Sequence, residues 1–252
     1  MRKIKFIADK IYHIYNRGVE KRDIFMNDAD RWRFIQAMFL FNDEEVSSNI
    51  LWKLANEKGR LSFRTLREYI EKENNRGGRK PLVKIMTDCL MPNHFHFLIK
   101  NLRDDGVSRF MHKLGIGYTK YFNEKYNRVG SLFQGPFKAV PVENDLYLQY
   151  LLIYINVINP GQLIEPNLEE IGVKDVRKIM AAANDYSWSA HLEYIGKRQS
   201  IIIEKDILGD FFPAPEKYEK FAREILLGRQ LDLIGRLVLE PSVKLGLTEK
   251  KK

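Results

Sequence analysis

Cysteine is almost missing from this chain: Cys89 is the single one in 252 residues. One thiol excludes a disulfide framework and any cysteine-cluster metal site, and it points to a reducing, cytoplasmic setting. Long apolar runs are absent as well. None approaches the ~20 residues needed to span a bilayer, so no membrane partner is expected. The basic start, Met1 to Lys5, is not followed by the apolar stretch of a secretory signal. Nor is there a glycine-rich loop of the kind that cradles nucleotide phosphates, so no nucleotide cofactor is expected.

What the chain has in excess is positive charge. Forty-two Lys and Arg against 33 Asp and Glu leave a net +9. Such a balance favours polyanions through counterion release, without choosing among DNA, RNA and acidic membranes. Hydrophobic residues at 44% and charged residues at 30% are globular proportions and argue against wholesale disorder.

The periodicities predict an α+β fold. Lys10 to Arg17 alternates β-formers and stops at Asn16-Arg17-Gly18, a strand ending in a turn. Apolar positions from Trp32 to Phe41 recur at helical spacing behind Asn27-Asp28, a good cap. The stretch 42–80 reads as a partly helical insertion. Leu82 to Leu90 and His94 to Lys100 read as a hairpin around Met91-Pro92-Asn93. A helix follows over Val107 to Tyr126, weakened by Gly115 and Gly117, then a short strand over Phe137 to Val142. A last helix, Asp145 to Ile158, is expected to stop before Asn159-Pro160-Gly161. The order β-α-β-β-α-β-α is that of a ferredoxin-like split βαβ antiparallel sheet with packed helices. On this reading residues 1–161 form the functional domain and 162–252 a mostly helical C-terminal extension.

Chemistry concentrates in two places. In His94-Phe95-His96 the histidines are two apart on a strand, so they project to one face with Cα atoms roughly 6.5 Å apart. Phe95, Phe97 and Ile99 project to the other face, toward the core. Two imidazoles so placed can grip a divalent metal; the alternative is a strand with two half-exposed histidines. Fewer than the usual three or four N/S ligands of a zinc site leaves positions open for phosphate oxygens, which suits Mg²⁺ or Mn²⁺. The second place is the helix bearing Tyr147, Tyr150 and Tyr154, near one face at spacings of three and four. Core packing accounts for the first two. Tyr154, one turn from the helix end, is placed to attack a phosphodiester.

With these residues in hand, the chain resembles the single-tyrosine HUH transposases, in their REP-associated branch. The likeness runs from Tyr12 to about Gly196. It rests on Tyr12-His13-Ile14-Tyr15-Asn16-Arg17-Gly18, Met91-Pro92-Asn93-His94-Phe95-His96-Phe97-Leu98, Gly130 to Ala139, Tyr154-Ile155-Asn156 leading to Asn159-Pro160, and Tyr186-Ser187-Trp188-Ser189 running to Gly196. The resemblance implies nicking and rejoining of single-stranded DNA beside a hairpin, through a 5′-phosphotyrosine and a free 3′-hydroxyl. It casts His94 and His96 as metal ligands and Tyr154 as the nucleophile. In this branch a polar ligand follows the tyrosine by one helical turn, but that position here is Ile158. Asn159, one residue later, would point about 100° further round an ideal helix. A local bulge restores its aim, another group such as His13 completes the site, or the site is weakened. The last case leaves a non-catalytic binder of hairpin DNA or RNA on the same fold.

Arg109, Lys113 and Lys120 on the helix after the hairpin, Lys138 on the fourth strand, and Arg17 are the candidate DNA contacts; each reads equally well as solvated surface. Tyr118, Tyr121 and Phe122 are expected in the core, and Trp188 in structural packing. The chain is expected to act as a monomer or homodimer.

Overall fold

The computed structural model describes residues 4–44 and 79–228. The expected insertion therefore lies outside the described residues except at its two ends. Four antiparallel strands, β1 (Ile11–Arg17), β2 (Val83–Met91), β3 (His94–Asn101) and β4 (Lys138–Val142), form one sheet in the order β2-β3-β1-β4. This is the ferredoxin-like arrangement that the element order predicts. Arg17 closes β1 rather than lying in the turn beyond it.

Each face of the sheet carries its own helical layer, because alternate residues of the strands are apolar on both sides. One face presents Tyr12, Ile14, Phe95, Phe97 and Ile99 to α1 (Asp28–Phe41) and α2 (Gly106–Lys125). Asn27 caps α1 by accepting from the Asp30 amide at 3.2 Å. The two glycines do not break α2. Gly117 is where α1 comes closest, since a Cβ there would sit 2.4 Å from the Phe41 ring. Tyr118 and Phe122 are buried in this layer, as expected, and the Tyr118 hydroxyl donates to the Ile24 carbonyl at 2.5 Å.

The other face presents Leu98, Met86 and Cys89 to α3 (Asp145–Ile153) and to the helices that follow. Asn144 caps α3 through the Tyr147 amide at 3.0 Å. Contrary to expectation, the helix does not stop before Asn159. A π turn, Tyr154–Ile158, leads straight into α4 (Asn159–Gly161). Pro160 has no N–H to give, and its ring crowds the carbonyl one turn back. A widened turn just ahead of it relieves that conflict, so the chain continues where a regular helix would have ended.

Beyond it lie α5 (Leu168–Ile171), α6 (Val176–Asp185), α7 (His191–Tyr194), α8 (Ile207–Phe211) and α9 (Pro215–Leu226). Ile179, Met180, Tyr194, Leu208, Tyr218 and Ile225 share one core with Leu151, Leu152 and Ile155. The segment after residue 161 thus covers the Tyr154 helix. Polar contacts tie the π turn to β2 and the later helices to one another. Thr87 Oγ1 donates to Asn156 Oδ1 at 2.6 Å, and His191 is bonded to the Tyr218 hydroxyl at 2.9 Å and to Asn184 Oδ1 at 3.0 Å. The outer edge of β2 is also covered: Leu90 N–H donates to the Trp188 carbonyl, Ala190 N–H to that of Asp88, and Glu204 N–H to that of Ile85. Pairing of this kind removes an open strand edge. Trp188 packs edge-on against Trp32 at 5.5 Å, as structural packing requires.

Candidate active site

Antiparallel register decides which side chains meet. Tyr15 lies opposite His96 and Arg17 opposite His94, so His13, Tyr15 and Arg17 of β1 share a face with His94 and His96 of β3. Lys138 of β4, opposite Tyr15, joins the same face. The helix bearing Tyr154 covers it. The His96 and Tyr154 ring centroids are 5.6 Å apart, and those of His94 and His96 5.1 Å.

The π turn settles where Asn159 points. Its backbone N–H closes on the Tyr154 carbonyl, an i to i+5 bond that brings residue 159 one full turn from Tyr154 on the same side. The Asn159 side-chain Nδ2 donates to that carbonyl at 3.1 Å, and the Asn159 side chain lies close enough to the His94 ring to raise its pKa against the effect of burial. A local bulge, one of the three possibilities raised by the spacing, is present as this π turn.

His13 takes a different place. Its Nε2 is 2.9 Å from His96 Nδ1, so it stands behind His96 and fixes that ring. Asn93 Oδ1 does the same for His94, at 2.6 Å from Nδ1. A ring nitrogen held by an outer partner, with the other not engaged in a hydrogen bond among the described residues, is compatible with metal ligation. Burial keeps these rings neutral. It pushes the His94 pKa down to about 4, His13 to about 3 and His96 well below the usual histidine value, and Arg17 beside His94 adds to the effect there. Among the described residues, no group of three or more His, Cys, Asp or Glu is placed to hold a metal. The candidate donors are two neutral imidazoles and the amide of Asn159. They fit a divalent cation that keeps further positions for phosphate or water.

Tyr154 is 3% exposed, and desolvation pushes its phenol well above the ordinary tyrosine range. The negative charge of the nearby Glu169 is a second cause of the same shift. Tyr147 and Tyr150 are held up for the same reason, Tyr147 to about 12. Tyr15 and Glu169 escape sequence reasoning, and His13 enters it only as a group that could complete the metal site. The alternation His13-Ile14-Tyr15 carries a signal, for it repeats the pattern of His94-Phe95-His96. Glu169 gives none.

The expected DNA contacts divide. Arg17 and Lys138 lie on the face of the histidines, and Arg17 donates to Gln134 Oε1 at 3.2 Å. Arg109, Lys113 and Lys120 stand on α2, over the opposite face. There Arg109 Nη2 donates to the Glu44 carbonyl at 3.1 Å and Lys113 Nζ to that of Asp43 at 2.5 Å. Lys120 is exposed beside a cavity of about 820 Å³ between α2 and the 131–137 loop.

Residues 64–157 match a family model described as transposase, IS200 like. The likeness is to IS200-like transposases. The matched part of this transposase-like chain contains the two histidines, Tyr154 and the strands that position them, though not Asn159. A solved structure described as a REP-associated tyrosine transposase bound to a REP hairpin aligns with 81% of the transposase-like chain and 96% of its own. The identity is 14% and the TM-score 0.37. No curated protein sequence matches the chain. Among the described residues, no helix is long and apolar enough to cross a membrane.

Proposed function

We propose that this chain is a metal-dependent transposase of the single-tyrosine type, which nicks and rejoins single-stranded DNA beside a hairpin. The observation that carries this reading is the convergence of Tyr154 with His94 and His96, completed by Asn159 through the π turn. His94 and His96 would hold Mg²⁺ or Mn²⁺ through their inward nitrogens, with Asn159 Oδ1 as the third donor. Bound there, the cation would act as a Lewis acid toward the scissile phosphate.

The chain's own residues supply the rest. Arg17, beside His94, meets the negative charge of the DNA backbone, as does Lys138 on the adjoining strand. The Tyr154 phenol oxygen attacks phosphorus and leaves a 5′-phosphotyrosine and a free 3′-hydroxyl. A second 3′-hydroxyl reverses the step and releases Tyr154, so the bond energy is kept and no ATP is needed. His13 and Asn93 hold the two ligand rings in orientation throughout.

The test is a denaturing gel of the protein with Mn²⁺ and labelled single-stranded oligonucleotides that carry the hairpins flanking its gene. A covalent protein–DNA band, lost in Tyr154→Phe and in a His94→Ala, His96→Ala double variant, is the expected result. A band that survives Tyr154→Phe would move the nucleophile, with Tyr150 next in line. Tight, salt-sensitive binding with no band for any hairpin would instead make the chain a hairpin binder without catalysis.

A further inference from the structure

Helix α2 carries a stripe that its core packing leaves over. Ser108, His112, Gly115 and Thr119 follow one another at spacings of three and four, so they share one face of the helix. With the 131–137 loop they wall the cavity of about 820 Å³. That volume lies within the roughly 300–1,000 Å³ of pockets that take small organic ligands. Gly115 is the position that opens it. Glycine inside a helix is unfavourable next to alanine. Gly117 makes room for Phe41, but at Gly115 a Cβ would have nothing within 4 Å. The missing side chain there serves the cavity and not the packing.

The lining has the chemistry of a base pocket. Phe133 and Phe137 supply flat apolar walls, and both rings are held before any ligand arrives. Phe133 meets Phe95 edge-on at 5.8 Å, and Phe137 stacks on Phe6 at 6.1 Å. Ser108, His112 and Thr119 offer side-chain donors and acceptors that make no hydrogen bond among the described residues. A purely apolar ligand would leave those groups unpaired. No carboxylate lines the cavity, and Lys120 stands exposed beside it, so a ligand that carries a phosphate is admitted.

The end of β1 joins this cavity to the histidine face. Asn16 lines the cavity, and Arg17, the next residue, lies opposite His94. The loop is bonded to both: Asn16 Nδ2 donates to the Gly135 carbonyl at 3.1 Å, and the Gln134 amide to the Arg17 carbonyl at 2.9 Å. A DNA strand whose phosphate meets Arg17 has a bonded edge to turn round, with the cavity beyond it.

We infer that this cavity takes an unpaired nucleobase from the single-stranded part of the DNA, an inference that rests on reading the chain as a binder of single-stranded DNA beside a hairpin. The base stacks on the aromatic wall, and the α2 stripe hydrogen-bonds its edge.

The experiment measures equilibrium binding of the full chain, in EDTA so that no strand is cut, to a labelled flanking-hairpin oligonucleotide. A second set carries an abasic site at each unpaired position in turn. A stacked base contributes about 5- to 140-fold in affinity, so one or two abasic positions should weaken wild-type binding by that factor. Gly115→Leu fills the cavity from a place where a Cβ meets nothing, and leucine is the better helix former. It should melt no lower than wild type. On the intact oligonucleotide it should lose the same factor, and on the one that lacks the critical base it should lose nothing further. Gly115→Ala, one methyl group, should bind much as wild type does. Wild-type affinity in Gly115→Leu would overturn the inference, as would an equal loss on the intact and on every abasic oligonucleotide. If the wild type binds the hairpins and only the Gly115 variants are silent, the DNA reading stands and the pocket alone falls. If it binds none of them, both fall together.

Discussion

Mild acid should unfold this protein. His13, His96 and His191 are at most 5% exposed and neutral in the fold, where burial pulls His13 to about 3, His191 to about 4 and His96 well below its usual value. In the unfolded chain each takes a proton near 6.5. Because the folded values are depressed, their stabilisation is complete above pH 6.5 and is lost as the pH falls below it. Asp88 works the other way. Burial and the neighbouring Glu193 raise it to about 7, so it is protonated in the fold and ionised when unfolded over the same interval, and it gains stability as the pH falls. These three histidines less one carboxylate leave two protons, which is about 2.7 kcal/mol per pH unit, and the partly exposed His94, also held low, steepens the slope further. From pH 6.5 to 4.5 the loss is roughly 5 kcal/mol, comparable with the whole stability of a marginal domain. Urea unfolding at pH 7.5, 6.5, 5.5 and 4.5 in EDTA, followed by the fluorescence of the Trp32–Trp188 pair, measures the slope. His191→Gln should lower it by about 1.4 kcal/mol per pH unit. A flat or inverted slope between pH 6.5 and 4.5 would show that the imidazoles are protonated inside the fold, and would refute the assignment of neutral rings.

Further outcomes follow from single contacts. Thr87→Val leaves Asn156 Oδ1 without its buried donor and should cost about 1–3 kcal/mol, read as a fall in thermal midpoint of roughly 2–4 °C per kcal/mol. Gly161→Val should prevent folding or lower the midpoint sharply, because a Cβ alone would meet Ile179 Cγ2 at 2.8 Å; circular dichroism melts show it. Asn159→Ala should weaken Mn²⁺ binding about 10-fold or more by calorimetry while His13→Phe weakens it less, since the first removes a donor and the second only an orienting contact. A chain ended at Gly161 uncovers Leu151, Leu152 and Ile155 and should lose its cooperative melt.

Much of the site could be read from local periodicity. His94 and His96 two apart on a strand, and Tyr154 at the end of a tyrosine stripe, need nothing beyond the pitch of their own elements. The sheet order followed from the sequence of elements. What lay hidden depends on pairs far apart in the chain. The His13–His96 bond exists only because β1 and β3 pair in one particular register. Glu169 comes near Tyr154 only because the chain folds back after α4. Arg109 and Lys113 looked like a basic helix face, but the backbone after α1 offers them carbonyls that no spacing rule shows. The expected helix stop at Asn159-Pro160-Gly161 fails for an energetic reason: a turn that has already widened loses little to a proline.

That widened turn also works as a phase correction. One residue added to a regular helix rotates everything after it by about 100°, which would swing Asn159 off the metal position. Here the extra residue is absorbed within a single turn. The downstream chain keeps its orientation as though nothing had been inserted. Spacing between tyrosine and amide is therefore not the invariant of such a site; the shared face is. A sequence pattern that demands a separation of four would pass over a chain in which five residues complete the same turn.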